Sequence, residues 1–117
     1  MLKKGDFDTD DARLADLTEE QKMRQPTDAE ASRLSAAFGT GWEHVFLELD
    51  ISQARIDQVK MVNTYNISMA ITKLIIVWRQ KNACNASFSV LLQALERASN
   101  HCTIDWDIVE KVVKQQQ

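Results

Sequence analysis

Residues 74–95, LIIVWRQKNACNASFSVLLQAL, constrain the fold more than any other stretch of the chain. Leu74, Ile75 and Trp78 continue a series opened by Ile67 and Ile71. Their spacing, i, i+4, i+7, i+8 and i+11, is the repeat of one apolar helical face. The run ends in the polar corner Arg79-Gln80-Lys81 and restarts at Ser87, a residue type that caps helix starts. Phe88, Leu91, Leu92 and Leu95 then form a second apolar stripe. Two amphipathic helices joined by a short polar loop must bury their stripes against further helices. With only three Gly and one Pro in 117 residues, turn chemistry for an all-β fold is scarce. The fold class expected is all-α.

Further helices follow from caps and spacing. Thr27-Asp28-Ala29-Glu30 has the spacing of a capping box, and Asp28 and Glu30 suit the positive end of a helix dipole. A first helix is expected over 28–48, interrupted at Gly39-Thr40-Gly41, with Trp42, Val45, Phe46 and Leu49 on one face. Ser52 caps a second helix whose inward face is Ile56, Val59 and Val62. Residues 63–65 supply a short third helix or turn, and 66–80 the fourth helix. The fifth starts at Ser87, and 104–114 form the sixth, apolar over a wide arc from Ile104 to Val113. Trp42 and Trp78 sit on apolar stripes and are expected to anchor the core.

A chain of 117 residues, 44% hydrophobic, fits one domain with a modest stability margin. Residues 1–26 carry seven acids and five bases with few large apolar groups, so they are expected to be a flexible lead-in; Leu14 and Leu17 leave room for a turn or two of helix. The domain is expected over 27–114 and a tail over 115–117. MLKKGDFDTDD passes from two lysines into acid and does not read as a signal peptide. Cys84 and Cys102 form no CxxC pair, which suits a reduced, cytoplasmic chain. Asn66-Ile67-Ser68 and Asn85-Ala86-Ser87 are then coincidental matches to a glycosylation acceptor. The net charge of −3 and pI near 5.3 argue against nucleic-acid binding, and the longest apolar run is too short to span a membrane.

The ordered set of apolar positions resembles a known family. Leu74-x-x-x-Trp78, a polar loop, Ser87 and a Leu-x-x-Ala-Leu helix are similar to the fourth-to-fifth helix corner of death domains. Gly41-Trp42 followed by Val45, Phe46, Leu49 and the string Ile51 to Val59 is similar to an earlier run of the same family, and residues 103–113 stand where its closing helix belongs. The resemblance covers about residues 28–114 and is nearest to adaptors of the Fas-associated or immune-deficiency type. It implies a six-helix antiparallel bundle that binds other death-domain proteins (receptors, adaptors or kinases) in apoptotic or innate-immune signalling, with no enzymatic step, no cofactor and no metal. In the Fas-associated pattern the residues after the first-helix Trp are basic; here they are Glu43-His44, with Glu48 following.

The charges suggest how such docking would work. Between Trp42 and Asp57 stand the acids Glu43, Glu48, Asp50 and Asp57 against the single base Arg55. Between Asn66 and Ala98 stand the bases Lys73, Arg79, Lys81 and Arg97 against the single acid Glu96. Either group reads as a solvated helix face or as a docking patch; as patches, one acidic and one basic surface on one molecule make a heterologous contact. Trp106, between Asp105 and Asp107, is a candidate hot spot as well as a core residue. His101-Cys102 are adjacent and cannot point together on a helix or strand, so neither a metal site nor a Cys/His nucleophile is expected. Two other readings remain: the death domain of a signalling kinase or receptor, and a small helical module that takes a partner helix in a groove.

Overall fold

Thr27 opens the second of the seven α-helices found among the described residues with a complete capping box: its side chain accepts from the Glu30 N–H, and the Glu30 carboxylate accepts from the Thr27 N–H. The computed structural model describes residues 17–114. In it the helices are α1 (Glu19–Met23), α2 (Asp28–Leu34), α3 (Glu43–Glu48), α4 (Gln53–Val62), α5 (Ile67–Asn82), α6 (Phe88–Ala98) and α7 (Trp106–Lys114). Single 3-10 turns follow α2 at Ser35–Ala37 and α5 at Ala83–Asn85. Ser52, Asn66 and Ser87 accept from backbone N–H groups at the starts of α4, α5 and α6. The asparagine and serine of the two acceptor-like tripeptides thus act as helix caps.

The expected all-α bundle is present. As expected, the first helix is interrupted around Gly39 to Gly41, which separates α2 from α3, and of the short helix or turn expected at 63–65 it is the turn that forms. The break after α2 is fixed by a backbone lacing between two loops. Gly39 N donates to Thr103 O at 2.8 Å, Thr103 N to Thr40 O at 3.0 Å, and Asp105 N to Ala37 O at 2.8 Å. Ile104, expected inside the last helix, instead forms an isolated antiparallel bridge with Phe38. Gly41 adopts φ +87, and a Cβ there would lie 1.9 Å from the His101 carbonyl oxygen. Only glycine fits that crossing.

The core lies where α2, α5, α6 and α7 converge, with α3 packed on α6 and α4 on α5. Trp78, Phe46, Phe88, Leu34, Ile71, Leu74, Leu91 and Leu95 are among its largest fully buried side chains. Phe38 stacks on Phe46 at 5.7 Å, and Trp42 meets Phe46 edge-on at 6.0 Å. Both Trp42 and Trp78 are core residues, as their stripe positions indicated. Two positions expected inside are not there. Val62 is 75% exposed and Ile67 47%, because the end of α4 and the first turn of α5 project past the bundle, where no neighbouring helix covers them.

The structure places the start of the bundle before Pro26. Leu17 is buried in the core cluster, and Thr18 caps α1 with a second capping box closed by Gln21. Arg24 then fastens this segment at three points. Its Nη1 bonds Glu30 at 2.7 Å, its Nη2 donates to the Val113 carbonyl at 3.3 Å, and its guanidinium lies 4.8 Å above the Phe88 ring. Its own carbonyl accepts from the Phe88 N–H at 3.0 Å, and Gln25 donates to the Ala83 carbonyl. Residues 17–26 are thus folded onto α2, α6 and α7. The rest of the expected lead-in, Leu14 included, and the 115–117 tail lie outside the described residues.

Candidate docking surfaces

The acidic group begins at Glu43, the first residue of α3. It is half-buried and bonded to Lys60 Nζ at 2.8 Å. Burial alone would push its carboxyl pKa up; the hydrogen bond and charge of Lys60 outweigh that and hold it below the ordinary value. The same pairing raises the Lys60 pKa, and the ammonium also sits 5.8 Å from the centre of the Trp42 ring. Glu48, at the other end of α3, bonds Arg97 Nε on α6 at 2.7 Å. Asp50 lies in the turn to α4 with φ 70, a left-handed conformation that aspartate tolerates better than most residues; its carbonyl accepts from Lys81 Nζ at 2.9 Å. Asp57, exposed on α4, accepts only from Gln53 at 3.0 Å.

The basic group is dispersed in the same way. Arg97 and Lys81 are the partners of Glu48 and Asp50. Arg79 reaches back to the start of α2, donating to Asp28 Oδ1 at 2.6 Å and to the Pro26 carbonyl at 3.0 Å. Lys73 is exposed on α5 and shares a shallow groove with Arg55, Gln58, Val59, Val62 and Asn63. The two charge groups, separate along the sequence, are therefore interleaved in space at Glu48–Arg97 and at Asp50–Lys81. The exposed Glu48–Arg97 pair is worth only about 0–1 kcal/mol, and Lys81 meets the Asp50 backbone carbonyl rather than its carboxylate, so these contacts trim the surface field more than they stabilise the fold.

Trp106 is half-buried at the start of α7 and packs against the core cluster. It lines an open groove with Ala36, Phe38, Gly39, Thr103 and Asp107. One relationship escaped the sequence reading: the rings of His44 and His101 stack with centroids 4.7 Å apart, brought together by the Gly41 crossing. No spacing signal marks a pair separated by so much chain. Among the described residues no three His, Cys, Asp or Glu side chains are placed to hold a metal ion, and no helix is long and apolar enough to cross a membrane. Cys84 is exposed and Cys102 buried, both as free thiols; burial pushes the Cys102 thiol pKa up.

A filled helical core carrying a mosaic of charges on its outer face defines a small protein-interaction module. The family model of the death domain matches residues 29–105, and the chain belongs to the death-domain family. Members of this family bind other death-fold domains. The match begins after α1 and ends before α7, so the 17–26 segment lies outside the matched part.

Proposed function

We propose that this chain is an adaptor module of the cytoplasm that recruits receptor, adaptor or kinase death domains into apoptotic or innate-immune signalling complexes. Docking is reversible and charge-guided, without a covalent step. The acidic contribution comes from Asp57 with Glu43, Glu48 and Asp50, and the basic one from Lys73 with Arg79, Lys81 and Arg97. What carries the reading is that Asp57 and Lys73 remain exposed and without an ion-pair partner among the described residues, inside a family whose business is homotypic contact. The filled core between α2, α5 and α6 favours docking on the outer surface over a partner helix seated in an interior groove. Weak contacts of this kind gain affinity through multivalent assembly.

The test is capture of candidate death domains by the whole chain at low and high salt. Asp57→Lys and Lys73→Glu should each reduce capture while melting stays unchanged, and raised salt should weaken the wild-type contact. Capture by both variants at wild-type level would refute charge-guided docking and leave the Trp106 groove as the better surface.

A further inference from the structure

Eight large hydrophobic side chains are exposed among the described residues, and five of them, Met61, Val62, Tyr65, Ile67 and Met69, fall within nine consecutive positions at the α4–α5 corner. Tyr65 is 100% exposed and Met61 74%. Scattered exposed apolar residues are ordinary, whereas a contiguous group marks a contact surface. The corner is also held in shape. Asn63 Nδ2 donates to the Val59 carbonyl, Thr64 Oγ1 to the Met61 carbonyl, and Asn66 N to the Asn63 carbonyl. Beside Val62 the groove exposes Arg55 and Lys73, and neither side chain has a hydrogen-bond or ion-pair partner among the described residues. An occupant of this corner must bring apolar side chains and negative charge.

The chain carries that combination on another face. α1 exposes Met23, at 58%, together with Glu19 and Glu20, and neither acid has a partner among the described residues. Lys22, half-buried, is the one base of the helix besides Arg24, which Glu30 neutralises. Two residues past Met23, Gln25 bonds the Ala83 carbonyl just beyond the C-terminal end of α5. The apolar corner lies at the N-terminal end of the same helix, about 24 Å away for sixteen residues at 1.5 Å each. The two surfaces stand at opposite ends of one rigid element, too far apart to meet within a molecule.

We propose that the α4–α5 corner of one copy receives the α1 face of a second copy: Met23 against Met61, Val62 and Tyr65, with Glu19 and Glu20 toward Arg55 and Lys73. The contact is heterologous, so each added copy presents a fresh corner and the assembly grows head to tail. It goes beyond the partner docking proposed above, since it uses a segment outside the family match and leaves Asp57 aside.

Sedimentation of the whole chain over a range of concentrations tests it, with two surface variants: Glu20→Lys with Met23→Ser, and Val62→Ser with Tyr65→Ser. Wild type should grow beyond two chains and do so less at high salt. Each variant alone should associate about tenfold or more weakly with unchanged melting, yet the two mixed should pair, because each retains the surface the other lacks, and should stop at two chains. A wild type that stays single at every concentration overturns the proposal, as do variants that grow like wild type or a mixture that does not pair. If wild type is single but the corner variant alone loses capture of a partner death domain, the corner belongs to that partner and the second copy is ruled out. Capture through Asp57 and Lys73, measured on the α1 variant, reports separately on the docking reading.

Discussion

Glu48 and Arg97 meet at 2.7 Å across α3 and α6, so an acid and a base assigned to separate surfaces by their place in the sequence neutralise each other in the fold. Both side chains are about half exposed. The expected coupling is therefore small, about 0–1 kcal/mol. Arg97→Glu should lower the melting temperature by no more than about 4–8 °C, the shift that about 1 kcal/mol implies for a domain of this size, and Glu48→Arg in the same chain should restore it. A double-variant cycle read by thermal melts checks this; a coupling several times larger would mean the pair is shielded from water.

Arg24 should matter far more than its place outside the family match suggests. Arg24→Ala removes the charge facing the buried Glu30 and leaves that carboxylate with only the Thr27 N–H, an expected loss of about 1–3 kcal/mol. Deleting residues 1–26 removes Leu17 as well and should destabilise further, which a flexible lead-in would not do. Denaturant unfolding of both variants is the measurement. Truncation without effect would show that α1 contributes nothing to the bundle.

Trp78→Ala should cost about 3–5 kcal/mol, since Trp78 heads the fully buried side chains by size. Against a total stability of about 5–15 kcal/mol, such a change takes the domain close to unfolding. Trp42→Ala, at a residue with more exposed edge, should cost less. Melts followed by helical circular dichroism give the comparison, and equal losses at the two sites would contradict the difference in burial.

Acid should weaken the domain through Glu30 and Glu43. Burial raises the Glu30 pKa, but the Arg24 hydrogen bond and charge and the Thr27 N–H lower it by more, and its net displacement is downward; Glu43 behaves likewise beside Lys60. A carboxyl held below its unfolded value stabilises the fold in full above that unfolded value, and loses this contribution as pH falls through the folded one. Stability should therefore decline from about pH 4.5 downward, and Glu30→Gln should flatten that decline while lowering stability at neutral pH. Urea unfolding from pH 3 to 7 tests the slope.

Caps and stripes were the legible part of this chain. Thr27 with Glu30, Ser52 and Ser87 announced three helix starts because a capping side chain acts on N–H groups two or three residues away. The stripe through Ile71, Leu74, Ile75 and Trp78 announced the core face of α5. Periodicity tells which side of a helix is apolar, not how far a neighbour extends to cover it, so Val62 and Ile67 were placed inside and stand outside. Tertiary ion pairs leave no local trace: Arg97 lies forty-nine residues from Glu48. Leu17 was legible only as one of two leucines that left room for a turn or two of helix, and Arg24 not at all, since a single arginine in a charged stretch carries no period.

The bond from Arg24 to the Val113 carbonyl joins positions eighty-nine residues apart, and this fixes an order of events during synthesis. Residues 17–26 leave the ribosome well before α7, the helix that completes their seat. Contacts this distant in sequence form late, because a long loop must close before they add stability. Until then Leu17 has nowhere complete to bury itself, and the core side chains of α2 facing α7 stay open to water. The nascent chain is thus prone to aggregation just before α7 appears, and a segment translated ahead of its seat becomes a late latch to close.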